Sequence, residues 1–270
     1  MIAAVCMMRD EVDIAPETVG HMLQQVDRVY VADNGSTDGT RDLLDSFEGD
    51  IVVLDDPEVA YRQGPKMSVL AEMATDAGAE WIVPFDADEV WLARSGQRLA
   101  DDLNEVEDRI QVVEAQVFDY VATARDDLSV PPVKRMQWHR REPIPLPKVA
   151  FRAMAGATIH QGNHGVTLPD IPHPLALKGL LQVSHFPYRS SGQMIRKVRN
   201  GAEAYNADPT IPQHFGAHWR QWDAFSDREI ADLFLKWYYR AKPNKPITID
   251  GESQPSLVHE PVPLWVAQPL

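Results

Sequence analysis

Cysteine is almost absent: the 270 residues contain one, Cys6, inside the first apolar run. A single thiol excludes an intrachain disulfide framework, and the setting expected from it is reducing and cytoplasmic. Positive charge is also in short supply. Lys and Arg number 26 against 40 Asp and Glu, for a net charge of -14. That excludes a general nucleic-acid binder and a protein held to anionic membranes by charge, although a local basic patch for one phosphate group stays compatible with it. Long hydrophobic runs are missing too. No stretch approaches the roughly 18 apolar residues of a transmembrane helix, so no integral membrane segment is expected. The opening MIAAVCMM is short and is followed by acids rather than a small-residue cleavage site, so no signal peptide is expected. There is no internal repeat and no low-complexity tract.

What remains is ordinary globular material, 44% hydrophobic and 24% charged, enough for a large α/β core. The first half alternates two periods. Residues 2–7, 28–33, 50–56 and 80–86 read as strands. Between them Val19, Met22, Leu23 and Val26 mark one helical face, Leu43, Leu44 and Phe47 a second, and Met67, Leu70, Ala71 and Ala74 a third. Residues 35–40, GSTDGT, read as a turn with capping residues. This order predicts parallel strands with helical crossovers, a doubly wound sheet. Ligands bind beyond the carboxyl ends of such strands. Asp33, Asp55 and Asp86 all fall there and are expected to cluster.

After residue 90 the pattern loosens. A helix is expected near 96–108, a long strand at 110–123, and a Pro-rich loop from 131 to 147. Strands are expected at 148–154 and 180–186, and a helix near 190–205. Ser226 with Glu229 predicts a capping box for a last helix, with its stripe at Ile230, Leu233, Phe234 and Trp237. From about 241 the chain is Pro-rich and expected to be extended.

The segment EWIVPFDADEVW (80–91) carries the chemistry. Asp86 and Asp88, one residue apart at a strand end, can turn toward one hard cation. Oxygen ligands suit Mg²⁺ or Mn²⁺, which keep waters and share a substrate's phosphates. The alternative is an Asp-rich turn that caps the next segment.

Together VYVADNGSTDGT (29–40) and FDADE (85–89) resemble a family 2 glycosyltransferase of the GT-A fold. MMRDE (7–11) resembles that family's first nucleotide contact. HFPYRSSGQMIRKVRNGAEAY (185–205) resembles the C-terminal part of a glycosyltransferase 2-like subgroup of bacteria and their phages. The resemblance implies a mostly parallel doubly wound sheet with a C-terminal helical extension. Residues 1–240 would be one domain, with a donor half at 1–92 and an acceptor half with closing helices at 93–240, and 241–270 a Pro-rich extension. It implies a metal-dependent hexosyltransferase-like enzyme that moves a sugar from a nucleoside-diphosphate sugar to a hydroxyl of a glycan, lipid-linked or protein acceptor, with inversion. Asp33 matches the acid that pairs with the nucleobase, and Glu11 one near base or ribose, with Arg9 and Asn34 beside them. Asp86 and Asp88 match the Asp-x-Asp, with Ala87 between them at the donor. Asp86, Asp88 and His185 would hold Mn²⁺ or Mg²⁺. The family's usual second carboxylate pair for the catalytic base is not found.

Other residues are candidates on their own chemistry. The basic cluster Arg189, Arg196, Lys197 and Arg199 around one helix start suits a diphosphate, with Arg189 the better candidate, and Lys66 could also reach a phosphate. Arg62 and Gln63 could line the donor pocket. His164, between two glycines, and Asp119, on the strand after the acidic motif, are the candidate bases. Trp138, in the basic stretch 134–142, could stack on a sugar. Two competing readings stand beside the transferase. In a haloacid dehalogenase-type phosphatase Asp86 would be nucleophile and Asp88 the acid/base. The other is a non-catalytic sugar- or nucleotide-binding module.

Overall fold

Small and β-branched residues fill 2–8, and pleating sends alternate side chains to opposite faces. In the computed structural model this stretch is strand β1 (Ile2–Met8). Ile2, Ala4, Cys6 and Met8 enter one core while Ala3 and Val5 enter another. The structure describes residues 1–123, 125–212, 214–235, 248–249, 252–253 and 257–265. The remaining strands of the first half are β2 (Arg28–Asp33), β3 (Ile51–Asp55), β4 (Trp81–Pro84) and β5 (Glu89–Ala93). Helices α1 (Ala15–Gln25), α2 (Thr40–Asp45) and α3 (Gln63–Asp76) form the crossovers.

Met67, Leu70, Ala71 and Ala74 of α3 pack against Ala3 and Val5 on one face of the sheet. Val19 and Met22 of α1 and Leu44 of α2 cover the other. The sheet is therefore wound on both faces, as its periodicity predicted. Helix α4 (Leu99–Asn104) is shorter than expected and buries Leu99 and Leu103.

Later elements are β6 (Val112–Asp119), α5 (Pro132–Arg135), β7 (Trp138–Arg140), β8 (Lys148–Arg152), β9 (Thr158–Ile159), β10 (Val166–Thr167) and β11 (Ala176–His185). Helices α6 (Ser191–Asn206), α7 (Ala217–Asp223) and α8 (Asp227–Phe234) follow, then β12 (Thr248–Ile249), β13 (Glu252–Ser253) and β14 (Leu257–His259). The main sheet runs β3-β2-β1-β4-β8-β6-β11-β5. The first four strands are mutually parallel, and β8 lies antiparallel between β4 and β6. Strand β5 was not expected. It turns back at once after the acidic motif to pair antiparallel with β11, so Glu89 sits opposite His185.

The Pro-rich stretch at 131–147 is not all loop, for it carries α5 and β7. Pro132 occupies a first-turn position, where a missing N–H costs nothing. Strand β14 pairs with β7, and Leu257 is fully buried. Most of the 241–270 stretch, and Trp237 of the expected last stripe, lie outside the described residues. The capping box at α8 is present, with Ser226 and Glu229 each hydrogen-bonded to the other's backbone. Ile230 and Phe234 join a third core with Met194 and Val198 of α6 and with Tyr120 and Phe186.

Candidate active site

Strand order reverses between β1 and β4, since the chain moves outward through β2 and β3 and then returns to β1's other edge. A crevice opens beyond the carboxyl ends at such a switch point. A cleft of about 230 Å³ lies there. Among the described residues it is lined from β1's end by Arg9, Asp10 and Glu11, from the β4–β5 turn by Asp86, Ala87 and Asp88, and from α6 by Lys197 and Asn200. Asn34, Gln63 and His185 also line it. Six segments of the chain thus meet at the predicted sheet edge.

The two motif acids differ in their surroundings. Asp86 is clamped by three donors: Lys148 Nζ at 2.5 Å, Gln63 Nε2 at 2.7 Å and Asn163 Nδ2 at 2.9 Å. Lys148 also contacts buried Glu89 at 2.7 Å. Burial pushes the Glu89 carboxyl up, and Lys148 opposes this. Glu89 Oε2 accepts the Asp86 N–H at 3.0 Å, which fixes the turn.

Asp88 faces a different set. Lys197 Nζ contacts its Oδ2, His185 Nε2 lies 3.6 Å from its Oδ1, and Arg189 stands 3.9 Å away. Burial would raise the Asp88 carboxyl, but Lys197, His185 and Arg189 together hold it well below the usual range. Behind His185, Asp119 Oδ1 accepts a hydrogen bond from Nδ1 at 2.8 Å. Burial alone would lower the imidazole, and the two carboxylates outweigh it, giving a pKa of about 10.

The other sequence candidates divide. Arg9 lines the cleft. Its Nη2 meets Glu203 at 2.9 Å, while its Nε and Nη1 are buried without a hydrogen-bond partner. Glu11 lines the cleft and pairs with Arg189. Asn34 lines it too, with its amide donating to the Asp56 and Glu58 backbone. Asp33 is buried one residue earlier, accepts the Ser36 N–H at 3.3 Å, and is not among the lining residues. Asp55 does not join the expected cluster. Its side chain is 81% exposed and pairs with Arg41, because the pleat turns it away from the strand-end crevice.

Six further sequence candidates are otherwise engaged. Arg189 is fully buried. It is locked by Glu11, by Asp13 at 2.8 Å and by the Phe186 carbonyl, so it braces the site from beneath. Lys66 is tied to Asp56 at 2.7 Å, and Arg62 reaches outward to Asp208 at 2.8 Å; neither lines the cleft. His164 Nδ1 contacts the Pro147 carbonyl at 2.9 Å, and its neighbour Asn163 reaches Asp86 instead. Asp119 is committed to His185. Trp138 stacks near His259 on the β7–β14 ribbon and lines no part of the cleft.

Sequence reasoning also missed Lys148 and Asn163. Asn163 is fully buried at φ 58°, a left-handed conformation that Asn tolerates better than most residues. An Asn following the glycine of QGNHG is the one local signal that could have found it.

Among the described residues no three His, Cys, Asp or Glu side chains form a complete metal site. The donor set nevertheless suits a divalent cation shared with substrate. Asp88 Oδ1 and His185 Nε2 face each other, and a carboxylate behind the imidazole fixes its orientation, as in many metal-ligating histidines.

The family described as Glycosyl transferase family 2 matches residues 5–157, more than half of the chain. The chain belongs to that family: it has the GT-A fold and is a nucleotide-sugar glycosyltransferase. Solved structures similar to it include S. aureus TarS 1–349, at 12% identity over 87% of this chain and 70% of that one, with a TM-score of 0.41. The same TarS fragment in complex with UDP-GlcNAc matches at 13% identity over 87% and 71%, also at 0.41. A mycobacterial protein matches at 14% identity over 77% and 74%, at 0.36. No site residue is assigned from these. Comparison with curated proteins gave no match.

Proposed function

We propose that the protein transfers a sugar from a nucleoside-diphosphate sugar to an acceptor hydroxyl, with inversion at the anomeric carbon and with Mn²⁺ or Mg²⁺ held by Asp88 and His185. The line Asp119–His185–Asp88 carries this reading. Asp119 accepts the Nδ1–H, so Nε2 is the nitrogen that faces the cleft beside a carboxylate oxygen, and a cation bound there would displace the Nε2 proton that the charged imidazole carries. A divalent ion with one carboxylate and one imidazole completes its shell with water and substrate phosphates. Bound there, it would neutralise charge developing on the departing diphosphate.

The chain's own groups do the rest. Lys148, Gln63 and Asn163 hold Asp86 in one orientation, so its remaining lone pairs can accept a ribose or sugar hydroxyl. Arg9, also in the cleft lining, has two N–H groups without a hydrogen-bond partner. Glu11, braced by Arg189, supplies an acceptor toward base or ribose. The phosphatase reading fits this site poorly, because three donors from three segments occupy the oxygens of its would-be nucleophile. The test is thermal stability with UDP, GDP, dTDP, CDP and ADP, each with and without Mn²⁺. Stabilisation by one diphosphate that requires Mn²⁺ supports the reading and names the base. No shift with any nucleotide overturns the donor-site assignment. Inversion is checked by NMR of the anomeric proton in the first product formed.

A further inference from the structure

Helix α6 aims a ladder of polar side chains at the cleft. Lys197 contacts Asp88, Asn200 Nδ2 donates to Asp10 Oδ2 at 2.7 Å, and Glu203 meets Arg9 at 2.9 Å. The spacing of three residues keeps them on one helical face. Each rung therefore ends on a residue of the β1 end or the acidic motif.

The four carboxylates that line the cleft are Asp10, Glu11, Asp86 and Asp88. Three have partners that are themselves fixed. Arg189 holds Glu11, Lys148 holds Asp86, and Asp10 accepts from Asn200 and from the Thr37 N–H at 2.7 Å. Arg189 and Lys148 are 0% and 5% exposed; Lys148 is shared between two carboxylates and Arg189 among three. They cannot turn toward a ligand without leaving a buried acid uncompensated. Lys197 differs. It is 25% exposed, lines the cleft, and ion-pairs with one carboxylate, the same one that faces His185, while also donating to the Pro187 carbonyl at 3.3 Å. Among the described residues, Lys197 and Arg9 are the only Lys or Arg in the cleft lining.

We propose that Lys197 is the diphosphate-binding cation of this enzyme, its Nζ passing from Asp88 Oδ2 to a diphosphate oxygen of the donor. The inference rests on the nucleotide-sugar reading above. A divalent ion and an ammonium on the same carboxylate repel each other, and a diphosphate entering beside Asp88 offers the ammonium a second anion within a short swing. The flexible four-carbon stem of lysine permits that swing where a bidentate arginine fork would resist it. Arg9, the other cation in the cleft lining, supplies the second positive contact.

The test compares wild type, Lys197→Met, Lys197→Arg and Lys197→Gln in Mn²⁺. Calorimetry measures the five nucleoside diphosphates named above, and ligand-detected NMR measures the matching nucleosides. The expected result is a loss of roughly ten- to a hundredfold in diphosphate affinity for Lys197→Met, the worth of one charge-assisted hydrogen bond. Nucleoside affinity should stay within about twofold of wild type, because a nucleoside lacks the diphosphate, and Lys197→Arg should recover only part of the diphosphate affinity, since it keeps the charge on a fork less free to swing. Lys197→Gln keeps a hydrogen-bond donor for Asp88 and replaces the Met variant if that one fails to fold. Unchanged diphosphate affinity in Lys197→Met or Lys197→Gln overturns the proposal, as does an equal loss for nucleoside, which marks a packing role. If wild type binds none of the five, the nucleotide-sugar reading itself fails and takes the proposal with it.

Discussion

The two halves of the chain handle charge in opposite ways. The first ninety residues place carboxylates at strand ends: Glu11 after β1, and Asp86 and Asp88 after β4. The second half supplies the cations that face them. Lys148 reaches Asp86 across 62 residues, Lys197 reaches Asp88 across 109, and Arg189 reaches Glu11 across 178. A sheet edge with several acids is therefore tolerable only once β8, β11 and α6 have docked. The lesson is that the first half builds the site's shape and the second half makes its charge affordable.

The sharpest way to break this pairing is at Asp88. Asp88→Ala should lower turnover by about a thousandfold or more, because it removes the acid facing His185. Circular dichroism and cooperative urea unfolding should persist, and a variant that lost its fold would show that Asp88 is mainly structural. Next in size is Lys148→Met, which strands Asp86 and buried Glu89 without their cation. A loss of about 3–5 kcal/mol in urea unfolding is expected, partly restored in Lys148→Met/Glu89→Gln. A loss below about 1 kcal/mol would show that water reaches this pair.

The third prediction concerns a contact from the first half to the chain's far end. His21 of α1 is fully buried, with Nε2 on the Trp91 carbonyl at 2.8 Å and Nδ1 accepting the Trp265 N–H at 3.0 Å. Burial lowers its pKa to about 4, with the Trp91 hydrogen bond opposing. The neutral form is the folded one, so its stability contribution is complete above the unfolded value near 6.5 and is lost as pH falls toward 4. At pH 5 the loss should be about 2 kcal/mol relative to pH 7. Urea titrations of wild type and His21→Gln at both values check it, and equal pH dependence in the two proteins would refute it. Smallest is Ser226→Ala, which removes the α8 cap and should cost about 1 kcal/mol, read as a small drop in melting temperature with donor binding unchanged.

Legibility followed the same division. Strand β2 occupies the residues its periodicity marked, and the Met67, Leu70, Ala71 and Ala74 stripe is wholly buried. In the second half Ser226 and Glu229 were readable because a capping box is contained within four residues. Lys148 and Asn163 were not, and Lys197 was legible only as one of four basic residues around the α6 start. Nothing within ten residues of Lys148 distinguishes it from a surface lysine, and Arg189 looked the better phosphate ligand until its burial between Glu11 and Asp13 was visible. Strand β5 was hidden because its five residues follow a motif that already ended one strand.

The sequence by itself determined the parallel winding and the acids at the carboxyl ends of its strands. Those follow from hydrophobic period and turn chemistry, which act over a few residues. Only the tertiary structure decided the switch point between β1 and β4, which acid is clamped by Lys148, Gln63 and Asn163, which faces a histidine, and which arginine is locked away. The physical reason is that ion pairing and burial depend on distance in space, and the partners here lie 62 to 178 residues apart along the chain.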